Sequence, residues 1–321
     1  MTPIFVLSLS QAVYEAVEAE ISFARQSLAA QTAKSWYLVT ETHLQAELAQ
    51  EAVDIYTKLL EIVEARKKVG RVSKQDVHLI LADLATAKEK LEQIRSAREQ
   101  AARSLEVILG RYPSGKVQAA ADFVPVPPEI PGGLPAELLE RRPDIISAER
   151  QVAAAFKKVE TAKLARLPRV ALTGSGGRSS NELIDLIGVN KNFWSMGANL
   201  LAPLDVGGGL KAQVKIETAK QEIALAQYGQ TALRAFAEVE TGLANERFLT
   251  MRERHLAKSV AENADAYRLA NVQYKVGRID LLSVLQMQVR VLTARTGLIR
   301  IRNAQLANRI DLYLALGGGF E

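Results

Sequence analysis

The chain has 321 residues, of which 48% are hydrophobic and 24% charged, and its net charge is +5. It contains no cysteine, which excludes disulfide bonds, thiolate metal sites, a cysteine nucleophile and a lipid-modified cysteine within this chain. The basic residues are spread out rather than gathered in the stripe typical of nucleic-acid binding, and no apolar run reaches the roughly 20 residues of a membrane-spanning helix. Aromatic residues make up only 6%, which favours long helices over a dense globular core.

Two helix-forming segments open the chain. The first covers about residues 8–67 and contains neither proline nor glycine; the second runs from Ser73, a candidate N-cap, to about Gly110. Gly70 marks the turn between them. The first 20 residues lack the basic leader of an export signal, so no signal peptide is predicted there. A connector over residues 113–143 follows, and the six prolines from Pro113 to Pro135 indicate extended chain.

The second half of the chain alternates helix, glycine-rich segment and helix. Helices are predicted at about residues 144–167, 210–275 and 280–317. Between the first two of these, residues 169–209 hold eight of the chain's 20 glycines. In this segment, residues 170–176 and 193–204 alternate apolar with small or polar side chains, a pattern that predicts two β-strands joined by a loop over residues 177–192.

An internal duplication relates the two halves. The sequence "KVGR" occurs at residues 68–71 and 275–278, and the same shift pairs apolar positions along the helix that follows each copy. In both helices these positions alternate at three- and four-residue steps, which predicts packing along a coiled-coil seam. We therefore divide the chain into a partial first repeat (residues 1–112), the connector (113–143) and a second repeat (144–321).

The first repeat lacks a counterpart of the helix and strands that open the second. Lys211, just after the glycine-rich segment, aligns with Ile4, so about 65 residues are expected to be missing from the first repeat. The duplication thus predicts an N-terminally truncated chain. Because two strands alone do not form a stable sheet, the predicted strand pair requires partner strands. Its apolar face, made by Val170, Leu172, Trp194, Met196 and Leu200, suits either a soluble half-buried hairpin or the lipid-facing side of a membrane barrel.

The second repeat resembles the outer membrane efflux protein (TolC) family. The matching stretches are "LLERRPDIISAERQVAAA", "LPRVALTGSGG", "FWSMGANLLAPLDVGGGLKAQV", "YKVGRIDLLSVLQMQ" and "DLYLALGGGF", and "KVGRVSKQDV" extends the match into the first repeat. The resemblance implies a mainly α fold, in which long coiled-coil hairpins form an α-barrel tunnel and the β-hairpin contributes to a transmembrane β-barrel.

The resemblance also implies a function and partners. The expected protein is the outer membrane channel subunit of a tripartite efflux pump, a passive conduit for small molecules or ions. It would act as a homotrimer in the outer membrane and periplasm of a Gram-negative bacterium, with a periplasmic adaptor, an inner-membrane pump and outer membrane lipid as partners. A trimer of this chain alone would have six strands, fewer than the eight of the smallest membrane barrels, so inactivity through truncation stays open.

Two sets of site residues are transferred from the resemblance. The hairpin tips would dock the adaptor through Val69, Gly70 and Arg71 in the first repeat and Val276, Gly277 and Arg278 in the second. A gate is expected beside the tips at Asp76, although the corresponding positions of the second repeat, Ser283 and Gln286, carry no charge. From the sequence alone, Asp76 is equally a first-turn partner of the helix dipole.

No catalytic centre, cofactor site or metal site is predicted. The three histidines occur singly in polar helical contexts, and the glycine-rich stretches lack phosphate-loop and dinucleotide-binding spacings. We therefore expect a protein that is not an enzyme. Two alternatives remain at this stage: a soluble coiled-coil structural protein, and a periplasmic adaptor subunit. An adaptor, however, would be expected to have a single hairpin rather than a duplicated one.

Overall fold

The computed structural model describes residues 3–70, 72–128, 141–178, 192–204 and 206–318. These residues form α1 (Pro3–Lys68), α2 (Lys74–Ile108), α3 (Pro143–Leu164), β1 (Arg169–Arg178), β2 (Asn192–Leu201), α4 (Gly209–Lys275) and α5 (Leu281–Ala315), with a short 3₁₀ turn at Val206–Gly208. Within the described ranges, no helix is both long enough and apolar enough to cross a membrane. The mainly helical fold with one strand pair is confirmed.

The chain divides into two compact units. The first comprises Met1–Ser22 and Pro143–Arg234, and the second comprises Phe23–Arg142 and Ala235–Glu321. This division groups residues by contacts, whereas the predicted boundaries at residues 112 and 143 separate repeats, so the repeat boundaries stay a prediction.

In the first unit, the start of α1 and helix α3 are joined by polar side chains. Ser147 donates from Oγ to Oε1 of Glu20 over 3.1 Å, and the Arg150 guanidinium lies 3.2 Å from the Glu15 carboxylate. Three of the seven buried side chains of α3 are alanines, which occupy little space.

The β-hairpin of the first unit has a fully defined register. Val170 pairs with Leu200, Leu172 with Ala198, Gly174 with Met196 and Gly176 with Trp194. Because side chains of directly paired residues lie on the same face, the five residues predicted to share an apolar face do so. The strand β2 ends at Leu201, three residues before the predicted end, as the chain approaches Pro203, which has no N–H to donate to a ladder. Most of the predicted loop, residues 179–191, lies outside the described residues.

The second unit contains the principal hydrophobic core. It is formed by one face each of α1, α2, α4 and α5 near the two hairpin tips; its members include Val63, Val77, Ile80, Ala270, Tyr274, Leu281 and Val284. Helices α2 and α5 are both 35 residues long, and their bounds are related by the shift that aligns the two "KVGR" copies. Helices α1 and α4 end at Lys68 and Lys275, which the same shift pairs. The internal duplication is thus confirmed at the level of structure.

Candidate functional site

The two hairpin tips use the same backbone turn. Gly70 and Gly277 have φ angles of +70° and +77°, a left-handed conformation that favours glycine after a helix. The amide of Gly70 donates to the Lys67 carbonyl over 3.0 Å, and that of Gly277 donates to the Tyr274 carbonyl over the same distance. A Cβ atom at either glycine would meet nothing within 4 Å, so the conformation, and not crowding, requires glycine.

Each turn leads into a helix cap in which one serine faces one aspartate. At α2, Ser73 is the N-cap: its Oγ accepts from the Asp76 amide, and the Asp76 carboxylate accepts from the Ser73 amide over 3.0 Å, which completes a capping box. At α5 the order is reversed, because Asp280 is the N-cap and accepts from the amide and hydroxyl of Ser283. These hydrogen bonds, chiefly the one from the Ser283 hydroxyl, lower the pKa of Asp280 below its ordinary value.

The predicted gate residues therefore include members of both caps. Asp76 is half-buried and held by Ser73, while Ser283 is half-buried and held by Asp280. Gln286 is exposed on the second turn of α5. The first-turn role that the sequence allowed for Asp76 is confirmed, whereas gating by these three residues stays a prediction.

The predicted docking residues lie on neighbouring tips. Val69 and Val276, at equivalent positions, are 68% and 66% exposed. Gly70, Gly277 and Arg278 are exposed as well, and Arg71 lies outside the described residues. A cation–π contact joins the tips: the Arg66 guanidinium stacks on the Tyr274 ring at 4.2 Å from its centroid. The same guanidinium lies 3.5 Å from the carbonyls of Tyr274 and Lys275, at the C-terminal end of α4.

The β-hairpin presents two chemically different faces. The apolar face carries the five predicted residues, each between 68% and 81% exposed: Val170, Leu172, Trp194, Met196 and Leu200. The centre of the opposite face carries small polar groups, with the hydroxyls of Ser175 and Ser195 2.7 Å apart and Thr173 donating to the Gly197 carbonyl, whereas Phe193 and Leu201 lie at its two ends. Isolated exposed apolar side chains are common, but a continuous apolar face on an open strand pair is typical of a contact surface.

Two buried arginines were missed by the sequence reasoning. Arg142, 2% exposed, donates to the Ala315 carbonyl at the end of α5 and pairs with the Glu238 carboxylate at 2.8 Å. Arg309 pairs with Glu246 and donates to the Pro128 carbonyl, so it holds the end of the described connector on α5. No spacing in the sequence announces either pairing, because the partners lie far apart along the chain. Within the described residues, no group of acidic and histidine side chains is placed to hold a metal ion.

Comparison with known proteins agrees with this geometry. The profile of the family described as "Outer membrane efflux protein" matches residues 134–318. The chain is 31% identical over 316 residues to the pyoverdine export outer membrane protein OpmQ of Pseudomonas aeruginosa, covering 98% of this chain and 65% of the relative. It is 30% identical over 295 residues to the probable efflux pump outer membrane protein TtgC of Pseudomonas putida, covering 92% and 61%. The chain thus spans less than two thirds of the length of these relatives.

Solved structures show the same fold. The outer-membrane channel OprN superposes with a TM-score of 0.88 at 25% identity, covering 98% of this chain and 71% of that one. The outer membrane protein VceC of Vibrio cholerae also gives a TM-score of 0.88, at 23% identity, covering 99% and 76%; this likeness concerns the fold alone. Since the family profile covers more than half of the chain, the chain belongs to the outer membrane efflux protein family, a family of channel components and not of enzymes.

Proposed function

We propose that this chain is an outer membrane channel subunit of a tripartite efflux pump and forms a passive conduit for exported small molecules or ions. The observation that carries the proposal is the strand pair, with its continuous apolar face and its opposite polar face. An apolar exterior and a polar interior are what a membrane barrel requires. The kinship with outer membrane proteins of efflux and export systems supports this assignment.

The strand pair explains why we propose a homotrimer. A hairpin with two open edges is at best marginally stable alone, and a barrel in lipid must pair every edge. Copies of the chain related by symmetry would supply strands to one another. Three copies of this strand pair give six strands, fewer than the eight of the smallest membrane barrels, so a complete barrel needs further strands besides these pairs. In that assembly, the five apolar residues would contact outer membrane lipid and the serine and threonine side chains would line the lumen. The periplasm and outer membrane of a Gram-negative bacterium are the proposed location.

The tips suit a role at the periplasmic end of the channel. Their exposed valines and glycine turns would dock the periplasmic adaptor, which joins the channel to the inner-membrane pump that supplies the energy. A gate at this end would involve Asp76, Ser283 and Gln286. The capping hydrogen bonds hold Asp76 and Ser283 in fixed positions, so opening would move whole helix ends rather than single side chains.

The two tryptophans of the chain allow a direct test of the membrane assignment. Trp194 lies on the apolar face of the strand pair, while Trp36 lies in α1. In vesicles containing brominated phosphatidylcholine, the Trp36→Phe variant, which retains Trp194, should show strong quenching of its fluorescence. The Trp194→Phe variant, which retains Trp36, should show little. Equal quenching of both, or quenching of Trp36 alone, would contradict the proposed orientation.

This test also separates the alternatives. A soluble coiled-coil protein or a periplasmic adaptor would remain in the aqueous fraction and show no quenching in either variant. Channel activity is measured in planar bilayers as stepwise conductance of the same preparation. For the gate, Asp76→Asn should raise the conductance by removing one carboxylate per subunit at the constriction. Asp280→Asn removes the same charge from the other tip and serves as the control; equal effects would argue against a special role of Asp76.

A further inference from the structure

The two tips differ in charge although their backbones match. Residues 66–75 of the first tip include five basic side chains and no acidic one. The equivalent residues 273–282 of the second tip include two basic side chains and one acidic one. Because the duplication aligns these segments position by position, the difference reflects divergence of the side chains and not a different turn.

Burial accounts for part of this divergence. Tyr274 and Leu281 of the second tip are buried in the core of the four-helix bundle. Their equivalents in the first tip are Lys67 and Lys74, which are both exposed. The second tip thus uses these positions to pack against the first hairpin, and the first tip presents them to the outside.

Only one of the described cations of the first tip is used inside the molecule. Arg66 stacks on Tyr274 and approaches two carbonyls at the end of α4. Lys67, Lys68 and Lys74 are exposed and make no ion pair within the part of the chain that the structure describes. Lys67, Lys68 and Lys74 therefore flank the exposed Val69 along the chain, and no ion pair within the described residues compensates their charges.

Helix stability explains two of these three lysines. Lys67 and Lys68 lie in the last turn of α1, where positive charge interacts favourably with the helix dipole. Lys74, however, is the first residue of α2, where positive charge is unfavourable for the same reason. A cation that works against its own helix, beside two like charges, calls for an interaction outside this subunit.

We propose that the first tip is a cationic docking site for an acidic segment of the periplasmic partner, whereas the second tip docks through the apolar side chain of Val276. This inference rests on the proposed function, because it assumes that a partner meets the tips. An apolar centre within a polar rim is the usual organisation of a protein interface, and Val69 with its lysines has this organisation. A turn rich in aspartate or glutamate, at the end of a helical hairpin, would complement it.

A protein partner is favoured over an anionic lipid surface by the shape of the patch. The lysines occupy one turn between two antiparallel helices, with an apolar residue at the centre. A lipid surface is best met by a broad basic face that spreads over many head groups. The first tip is narrow and therefore suits a similarly narrow protein element.

The test uses charge reversal at the tip with a matched control. The Lys67→Glu/Lys74→Glu variant reverses two charges beside Val69, whereas Lys58→Glu/Lys88→Glu reverses two exposed lysines of the same helices farther from the turn. The probe is a helical-hairpin peptide with four glutamates at its turn, and a peptide with four glutamines is its neutral counterpart. Binding to the full chain in detergent is measured by titration at low and at physiological salt.

We expect the tip variant to bind the glutamate peptide on the order of tenfold more weakly than the wild type, and the control variant to bind it as the wild type does. Wild-type binding should weaken with salt, because exposed charges are screened. A peptide with lysines at its turn should bind the tip variant better than the wild type. Equal loss in both variants, or equal binding of the glutamate and glutamine peptides, would overturn the proposal.

Two further measurements distinguish the proposed docking site from a lipid-binding site and from a failure of the proposed channel function. Vesicles of phosphatidylglycerol provide the lipid arm: if they bind the wild type, lose binding in the tip variant and outcompete the peptide, the patch is a lipid site and the proposal is wrong. Conductance in planar bilayers tests the channel function independently. A conducting protein that fails to bind the glutamate peptide refutes the docking site alone, whereas lack of both conductance and lipid quenching refutes the proposed function.

Discussion

The two helical hairpins of the second unit have the same backbone plan, but the side chains between their helices pack differently. In the first, a groove of about 960 Å³ lies between α1 and the end of α2, lined by Ala33, Trp36 and Leu105 among others. In the second, α4 carries Gly242 at the position equivalent to Ser35, and a Cβ atom there would lie 3.0 Å from Cδ1 of the buried Leu312. Leu312 is itself the equivalent of Leu105, and both leucines are buried. Leu105 packs with Val39 and Ala101 beneath the groove, whereas Leu312 packs directly against Gly242.

This difference shows which features of a duplicated hairpin are fixed and which can diverge. The turns depend on local requirements, a glycine with positive φ and a side-chain cap, and both copies keep them. The side chains between the turns depend on what each helix meets in the assembly. These side chains have therefore diverged according to their different neighbours. The inverted caps illustrate this, and so do Lys67 and Lys74, which are exposed, while their equivalents Tyr274 and Leu281 are buried.

Substitutions in the core beneath the tips should give the largest difference in lost stability between the two copies. Ile80 is fully buried, whereas its equivalent Met287 is only partly buried against the same cluster. We expect Ile80→Ala to lower the free energy of unfolding by about 2–5 kcal/mol, because it removes contacts and leaves a cavity. Met287→Ala should cost roughly 1–2 kcal/mol, since a partly exposed site loses less. Denaturant unfolding followed by circular dichroism measures both; equal losses would mean that the two copies contribute equally to the core.

The contact at Gly242 should give the next largest effect. Gly242→Ala places a methyl group against Leu312 and should destabilise the protein by about 1–3 kcal/mol through overpacking. Gly229→Ala, in the same helix, is the matched control, because a Cβ atom there meets nothing within 4 Å. The control should stabilise the protein by about 0.5–1 kcal/mol, the usual gain of alanine over glycine in a helix. If both substitutions stabilised the protein, the close approach at Gly242 would be refuted.

Much of this fold could be predicted because its signals are local or periodic. The "KVGR" copies located both turns, the seven-residue spacing located the seam, and the period-two alternation placed Val170, Trp194 and Met196 on one face. Each of these depends on neighbours along the chain. The same alternation limits the register to those in which the apolar residues of both strands share a face, but it does not select among registers that differ by two residues.

The features that escaped prediction depend on residues distant in sequence. The pairing of Arg142 with Glu238 and of Arg309 with Glu246 joins segments more than 60 residues apart, and no spacing rule announces it. The inverted cap was also missed: the sequence suggested that the second repeat had lost its carboxylate, whereas Asp280 supplies one to the same cap from the other side. The shift that aligns the two "KVGR" copies already pairs Ser73 with Asp280 and Asp76 with Ser283, and the structure adds that both pairs close a helix cap.

Substitution of either tip glycine by alanine should lower the stability equally if the two turns are equivalent. Gly70→Ala and Gly277→Ala each force a left-handed conformation on an alanine without any clash. Each substitution should therefore cost about 1 kcal/mol, the lower end of the usual penalty for this conformation. The comparison of their melting temperatures checks this. A much larger loss at one tip would show that its turn carries a contact that the other lacks.

A substitution in one of the inverted caps should give the smallest change in melting temperature, and this change should depend clearly on pH. The pKa of Asp280 is lowered in the folded state, chiefly by the hydrogen bond from the Ser283 hydroxyl. A carboxyl whose pKa is lowered on folding stabilises the protein above its unfolded pKa, about 4, and loses this contribution as the pH falls through the folded value. Asp280→Asn retains a good N-cap without the charge. At pH 6 this variant should therefore melt about 1–3 °C below the wild type, and the two should converge as the pH falls below 4. A difference that stayed constant from pH 6 to pH 3 would mean that the charge of Asp280 contributes nothing, and that the two caps are equivalent through hydrogen bonding alone.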